Sequence, residues 1–262
     1  MNILFTLCGR AGSKGVKGKN ARDFLGIPLA WYSMAGIKMY IDQYITSKDN
    51  YNIVLNTDSE DLINIVKNVK DLDVTIFRRD DNLAGDRVPK VSVILDCLTR
   101  AEATFGLKYD VVVDLDITSP LRKIVDIKNA IDRKMKRDDV DVVYTVVPCR
   151  RNPYFNMAKE ENGYFGRAFT SNFVSRQEAP AFYDKNASIY VYSPDALRNK
   201  NHVTFFNDKC DATLMFDTGI LDIDSEEDYY LMQVIAKYLF ENMDGFKDVY
   251  KTVIDWSDKY VH

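Results

Sequence analysis

Short apolar runs alternate along the chain with segments of helical period, and this alternation constrains the fold more than any other feature. The predicted strands cover residues 2–7, 51–56, 73–77, 109–115 and 141–147. The predicted helices between them cover 28–41, 59–70, 88–103 and 126–137. Such alternation predicts an α/β fold, a Rossmann-like and mostly parallel sheet with helices on both faces. Ligands bind beyond the carboxyl ends of such strands. We therefore expect function in the loops that follow Leu7, Phe77 and Leu115.

The pattern changes after Pro148. Residues 149–202 are richer in aromatic and turn residues, with a hairpin signal at Asn162-Gly163 and a predicted strand at 188–192. We predict a small β-rich arm at 149–202, inserted into an α/β domain formed by 1–148 and 203–244. Regular structure is expected to return at 220–223 and in a helix at 226–239. A C-terminal helix is expected within 245–262.

Composition excludes several classes of function. The net charge of −4 and the low pI disfavour a nucleic-acid partner, because phosphate backbones attract clustered Lys and Arg. Four scattered cysteines without CxxC spacing disfavour a zinc site or a disulfide framework. Only two histidines are present, which makes a Ser-His-Asp triad improbable. No apolar run is long enough for a membrane span and no secretory leader is visible, so we expect a cytoplasmic protein.

A glycine- and lysine-rich loop follows the first predicted strand. It contains Gly12 and Ser13 together with the cations Arg10, Lys14 and Lys19, and it ends at Asn20. Glycines let backbone N–H groups approach phosphate oxygens closely, and the cations match a triphosphate. The loop is neither GxxxxGK[ST] nor GxGxxG. The alternative is a solvent-exposed basic turn.

Two further segments follow predicted strands. Arg79 and Asp86 lie in a loop that would face the same cleft, although a surface ion pair is an equal alternative. Asp114 and Asp116 stand at the end of the fourth strand, before Thr118 and Ser119. Strand alternation places both aspartates on one side, where they suit Mg²⁺. Helix capping and the metal pair of a glycosyltransferase remain alternatives.

An acidic segment occupies residues 222–228. Asp222 and Asp224 are again two positions apart, and we interpret them as metal ligands. Ser225 is a candidate helix N-cap with Asp228 at its third position. The carboxylates that follow Asp224 are therefore assigned to helix initiation.

Polar residues that suit a carboxylate and several hydroxyl or N-acyl groups occur within the predicted arm. Arg151, Arg176, Gln177 and Asn186 offer guanidinium and amide groups, and arginine binds a carboxylate through two hydrogen bonds. Hairpin or interface polarity is the alternative.

Taken in order, these motifs resemble the acylneuraminate cytidylyltransferases, the CMP-sialic acid synthetases. The matching pieces are RAGSKG with GKN, RRDDNLAGD, TSPLR, RQEAP with NASIYVY, and DIDSEED. Within that family the chain is most similar to the CMP-legionaminic acid synthetases. The resemblance extends over nearly the whole chain, and five motifs in the right order are a specific signal.

The resemblance implies a Mg²⁺-dependent enzyme that joins CMP from CTP to a nine-carbon α-keto acid sugar and releases pyrophosphate. It implies that 1–148 and 203–244 form a Rossmann-like nucleotide-binding domain and that 149–202 form a dimerisation and sugar-binding arm. It implies a homodimer in which the arm of one subunit reaches towards the partner's active site. It implies that Arg10, Lys14, Lys19 and Asn20 contact CTP, with Arg79 and Asp86 in the nucleotide loop. Asp222 and Asp224 match the family's metal ligands. Arg176 and Gln177 match its sugar-facing segment. N-acetylneuraminate, pseudaminate and Kdo are the alternative acceptors.

The chain departs from the family pattern at two places. Cys8 and Gly9 replace a common Pro-Ala before the first arginine. Asp116 replaces the glutamine of the family's sugar site, with Ile117 in place of the next proline. Asp116 therefore favours a sugar substituted differently from N-acetylneuraminate, or a role in the metal shell.

Overall fold

The computed structural model describes residues 1–12, 15–85, 87–199 and 209–260. Its strands are β1 Asn2–Cys8, β2 Asp23–Phe24, β3 Ile27–Pro28, β4 Asn50–Thr57, β5 Thr75–Arg78, β6 Val111–Leu115, β7 Val142–Pro148, β8 Ala158–Glu161, β9 Tyr164–Arg167, β10 Tyr183–Tyr192 and β11 Cys210–Leu214. Its α-helices are α1 Leu29–Tyr44, α2 Glu60–Asn68, α3 Lys90–Phe105, α4 Ile124–Met135, α5 Pro194–Arg198, α6 Glu226–Asn242 and α7 Phe246–Tyr260. The strands and helices predicted before Pro148 are confirmed, with ends that differ by a few residues.

The central sheet has seven strands in the order β11-β7-β10-β6-β1-β4-β5. Strand β10 pairs antiparallel with β6 and β7, while every other neighbouring pair is parallel. The predicted mostly parallel α/β sheet is confirmed. Two apolar cores cover its faces, one beneath α1, α4 and α7 and a smaller one beneath α3 and α5. Within the described ranges, no helix has the length and apolar character that crossing a membrane requires.

The predicted arm needs a correction. The Asn162-Gly163 turn joins β8 to β9 with positive φ at both residues, which confirms the hairpin. Strand β10, however, lies inside the central sheet, so residues 183–192 are not part of an arm that extends to 202. Ile189 and Val191 are fully buried there, since helices cover both faces of the sheet. Helix α5 packs against α3 and also belongs to the sheet domain.

The prediction of regular structure at 220–223 is wrong. These residues form a loop, and the edge strand is β11 at Cys210–Leu214. That strand lies at the edge of the sheet and is only partly buried, so its sequence lacks the apolar run that marks the inner strands. The C-terminal helix is confirmed as far as Tyr260; residues 261 and 262 of the predicted range lie outside the described residues.

Candidate active site

The carboxyl ends of β1 and β6 bring the predicted motifs together. The two strands are parallel neighbours, with Thr6 opposite Asp114, and the Thr6 hydroxyl donates to Asp114 Oδ1 at 2.8 Å. The glycine-rich loop leaves β1 and packs against the acidic segment. A Cβ on Gly15 would stand 1.9 Å from the carbonyl oxygen of Asp224, so only glycine fits there. The first and last motifs of the sequence therefore form one site.

A cleft of 290 Å³ opens at this edge of the sheet. Its charged lining consists of Arg10, Lys19, Arg79, Lys90 and Asp116, four cations against one carboxylate. Asn20, Thr118 and Cys8 also line it. An excess of fixed positive charge in a concave site attracts a polyphosphate, although the whole chain is acidic.

The chain holds the cations of the cleft in place. Arg79 donates from Nε to Asn56 Oδ1 at 2.8 Å and from Nη2 to Asn56 O at 3.0 Å. Asn20 Nδ2 donates to Arg10 O at 3.1 Å. Lys19 Nζ donates to Ile223 O and lies 3.4 Å from Asp224 Oδ1. Ordered cations lose little freedom when an anion binds, which favours affinity.

Asp114 and Asp116 form what we call the bridged pair, because Lys90 joins them. Lys90 Nζ lies 2.8 Å from Asp114 Oδ2 and 2.7 Å from Asp116 Oδ2. The predicted placement of both aspartates on one side is confirmed. Burial alone would raise the pKa of Asp116, but Lys90 and two hydrogen bonds from Thr118 lower that pKa to about 2. The same two carboxylates raise the pKa of Lys90 well above its ordinary value, against the effect of burial.

Asp222 and Asp224 form what we call the open pair. Asp222 is half-buried and Asp224 is 75% exposed. Burial raises the pKa of Asp222 to about 6, and the carboxylates of Asp224 and Asp116 add to the rise. Lys19 opposes this rise only in part. Excess negative charge at this position fits a divalent cation, whose remaining oxygen ligands would come from bound phosphates.

Two hydrogen bonds tether the open pair to the bridged pair. Ser119 Oγ donates to Leu221 O at 2.8 Å, and the Ile223 backbone N–H donates to Thr118 O at 3.1 Å. Beyond the pair, Ser225 accepts from the Asp228 N–H at 3.1 Å while Asp228 Oδ2 accepts from the Ser225 N–H at 2.8 Å. This capping box confirms the assignment of Asp228 to helix initiation.

A second cleft, of 220 Å³, contains arginines from the loop after β7. Arg150, Arg151, Asp217 and Leu221 line it. Arg150 Nε donates to Asp217 Oδ2 at 2.7 Å. Because Leu221 directly precedes Asp222, this cleft adjoins the open pair. Guanidinium groups here suit a carboxylate substrate.

Several predicted site residues lie elsewhere. Arg176 and Gln177 are exposed, and Arg176 Nη2 donates to Cys149 O at 2.7 Å. Gly12 is exposed and is not among the residues that line the cleft. Asn186 is only 4% exposed and its side chain bonds Thr145 and Met215, so the structure does not bring it to either cleft. Ser13, Lys14 and Asp86 lie outside the described residues.

The sequence reasoning missed Lys90. This lysine is the first residue of α3, where the positive end of the helix dipole disfavours a cation. A lysine at a helix start, together with two aspartates at a strand end, is the signal that could have found it.

Comparisons with known proteins show the fold and the family of the chain. The solved structure of CMP:2-keto-3-deoxy-manno-octonic acid synthetase complexed with CTP is similar to this chain, with a TM-score of 0.60 and 15% identity, covering 92% of this chain and 100% of that one. The fold is thus that of nucleotidyltransferases of the nucleotide-diphospho-sugar transferase type.

A family model described as "Cytidylyltransferase" matches residues 7–248, and the chain belongs to that family. The CMP-N,N'-diacetyllegionaminic acid synthase of Campylobacter jejuni is 36% identical over 233 residues, which are 89% of this chain and 94% of that protein. The "Post-translational flagellin modification protein B" of Campylobacter coli is 36% identical over 235 residues, with 90% and 95% covered. The chain is a nucleotidyltransferase enzyme.

Proposed function

We propose that the protein joins CMP from CTP to a nine-carbon α-keto acid sugar of the N,N'-diacetyllegionaminate type and releases pyrophosphate. The observation that carries this proposal is the cation-lined cleft at the ends of β1 and β6, beside the open pair. Relatives named for CMP-N,N'-diacetyllegionaminic acid synthesis, N-acylneuraminate cytidylyl transfer and pseudaminic acid cytidylyl transfer support the reaction class.

The residues of the cleft bind CTP and orient it for the reaction. Arg10, Lys19 and Arg79 bind and orient the triphosphate, so that the α-phosphorus faces the acceptor. The anomeric hydroxyl of the sugar forms the new O–P bond while the bond to the pyrophosphate oxygen breaks, and the hydroxyl proton is released. Most of the acceleration comes from positioning and from charge stabilisation.

The open pair fits a Mg²⁺ ion that arrives with CTP. Asp222 and Asp224 would hold it, since they offer hard oxygen ligands and Asp222 lacks full neutralisation. When bound, the ion supplies charge neutralisation on the phosphates and lowers the pKa of a coordinated hydroxyl. No group of three or more His, Cys, Asp or Glu side chains in the described ranges could hold a metal ion. Phosphate oxygens and water would supply the other oxygen ligands.

The acceptor is proposed to lie between the two clefts. Arg150 and Arg151 face its carboxylate, with Arg176 and Gln177 on the adjoining loop. Asp116 presents an ionised carboxylate to hydroxyl or amide N–H groups of the sugar. That group accepts hydrogen bonds only, whereas a glutamine also donates, and this difference favours an acceptor other than N-acetylneuraminate.

We further propose a cytoplasmic homodimer. Tyr164, Phe165 and Val174 are each more than three-quarters exposed near the hairpin, and a second copy would cover this apolar surface. The cysteines form no disulfide in the described structure, as a reducing compartment requires. Equilibrium sedimentation should show a dimer that Phe165→Glu dissociates; a monomeric wild-type protein would refute the dimer.

Pyrophosphate release tests the reaction. The protein is mixed with CTP, Mg²⁺ and, in turn, N,N'-diacetyllegionaminate, N-acetylneuraminate, pseudaminate and Kdo. We expect the largest kcat/KM with the first acceptor, and none when UTP or GTP replaces CTP. A larger kcat/KM with another acceptor would show that this acceptor, and not the proposed sugar, is the substrate. If no acceptor gave pyrophosphate release, the proposed reaction would be refuted.

A glycosyltransferase that uses Asp114 and Asp116 as its metal pair is disfavoured, because Lys90 occupies the position between them.

A further inference from the structure

Lys90 has no role in the reaction as described above, yet it lines the nucleotide cleft. Its ammonium is 2.8 Å from Asp114 and 2.7 Å from Asp116, and its side chain is 35% exposed. Asp114 is fully buried and its other oxygen accepts from Thr6. The lysine is therefore held at a fixed place, with its charged end at the wall that Arg10 and Arg79 share.

A purely structural role does not account for this arrangement. Replacing a buried ion pair by apolar residues of similar volume is often neutral or stabilising, so stability alone does not require a lysine between two aspartates here. Here one lysine faces two aspartates, so the three groups keep one net negative charge at the wall of a cleft that binds anions. An ammonium has three N–H donors, and the geometry of its two bridges leaves Lys90 at the surface of the cleft.

We propose that Lys90 is a further nucleotide-binding residue, a fixed cation that donates to a phosphate oxygen of CTP, and that Asp114 is the positioning residue that aims it. The proposal rests on the cytidylyltransferase function, and it extends the phosphate site beyond the glycine-rich loop. The bridged pair thus holds a cation that the protein itself supplies, the ammonium of Lys90. A pair of metal ligands would instead need a bound metal ion.

The test separates phosphate binding from simple charge balance. Lys90→Met alone leaves two carboxylates unpaired and is uninformative by itself. The double variant Lys90→Met with Asp114→Asn removes one charge of each sign, so the net charge of the group is unchanged. The affinities for CTP and for cytidine are measured by titration calorimetry and by competition, without acceptor.

We expect the double variant to bind CTP about tenfold more weakly or worse, since a charge-assisted hydrogen bond is lost. Its affinity for cytidine, which has no phosphate, should be unchanged. Wild-type affinity for CTP in the double variant would overturn the proposal. An equal loss for CTP and cytidine would also overturn it, because that loss would show a distorted cleft.

A matched control is Lys128→Met with Asp132→Asn, which removes an exposed lysine–aspartate pair on α4. It should bind CTP as the wild type does. Failure of the proposed function shows separately, as a wild-type protein that binds CTP but releases no pyrophosphate with any acceptor.

Discussion

The bridged pair and the open pair are the same motif in two electrostatic states. Each consists of two aspartates at spacing two, and a hydrogen-bonded tether joins their loops. Lys90 contacts both carboxylates of the first pair and lowers the pKa of Asp116 to about 2. Among the described residues, Lys19 is the cation that opposes the rise at the second pair, and the pKa of Asp222 still rises to about 6. The comparison shows that two aspartates at spacing two do not by themselves predict a metal site. A cation that the chain itself places between the two carboxylates takes the position that a metal ion would need.

The largest expected effect comes from the open pair. Asp222→Asn together with Asp224→Asn should lower kcat by about a hundredfold or more, since electrostatic stabilisation of this kind contributes two to three decades. Steady-state pyrophosphate release measures it. Glu227→Gln, an exposed carboxylate in the same acidic segment, is the matched control and should keep wild-type turnover. Near-normal turnover in the folded double variant would refute the metal assignment.

The bridged pair should show its effect in stability. Lys90→Met leaves the buried Asp114 without its cation, and breaking such a pair costs several kcal/mol. Because Lys90 is partly exposed, solvent screening reduces the loss to about 2 kcal/mol of unfolding free energy. Differential scanning calorimetry measures it, and the added change Asp114→Asn should restore most of the loss. A melting temperature equal to that of the wild type would contradict the bridge.

The two pairs should differ in their dependence on pH. The pKa of Asp222 is raised in the folded state, so its contribution to stability is full below about pH 4 and is lost as the pH rises through about 6. In metal-free protein, Asp222→Asn should therefore raise the melting temperature relative to wild type at pH 7 and above, and the difference should shrink towards pH 4.

The contribution of Asp116 to stability depends on pH in the opposite direction. Its folded pKa is lowered to about 2, so its stabilisation is present above its ordinary pKa and is lost only as the pH falls towards 2. Because Asp116 also raises the pKa of Asp222, the test is made in the Asp222→Asn background, where the effect of Asp116→Asn on the melting temperature should be constant between pH 5 and 8. A slope in that window would show that the two pairs are not electrostatically distinct.

The smallest expected effect concerns the tether. Ser119→Ala removes the hydrogen bond to Leu221 O from a side chain that is 4% exposed, at a cost of about 1 kcal/mol of unfolding free energy. If Ser119 acts only as a tether, kcat should fall a few-fold while the KM for the sugar stays near the wild-type value. A large rise in that KM instead would restore the predicted substrate contact of Ser119.

The sequence predicts the parallel sheet because its inner strands are apolar runs bounded by turns. The sequence does not predict the positions of β10 and β11, because pairing between strands that are far apart in the sequence determines where these two strands lie. Residues 188–192 have strand character, but only tertiary contacts with β6 and β7 place them in the sheet. Strand β11 is a half-exposed edge strand without a strong apolar pattern.

In the site, too, the residues in local motifs were predicted, whereas a contact between distant parts of the chain was missed. Arg10, Lys19, Asn20, Arg79, Asp116 and Thr118 were predicted from local motifs and meet in one cleft. Lys90 was missed because its partners are 24 and 26 positions away, and no local motif links a helix start to a strand end. The prediction that Asn186 contacts the substrate is wrong, because its place in a polar motif does not show that its side chain is buried in the interior.

The most direct test of the account is Mn²⁺ binding, followed by electron paramagnetic resonance in the presence of CTP. Wild type, Asp222→Asn with Asp224→Asn, and Asp116→Asn are compared. We predict that the open-pair variant loses the protein-bound Mn²⁺ signal, while Asp116→Asn keeps it because Lys90 already occupies the bridged pair. Loss of the signal in Asp116→Asn with retention in the open-pair variant would contradict the account.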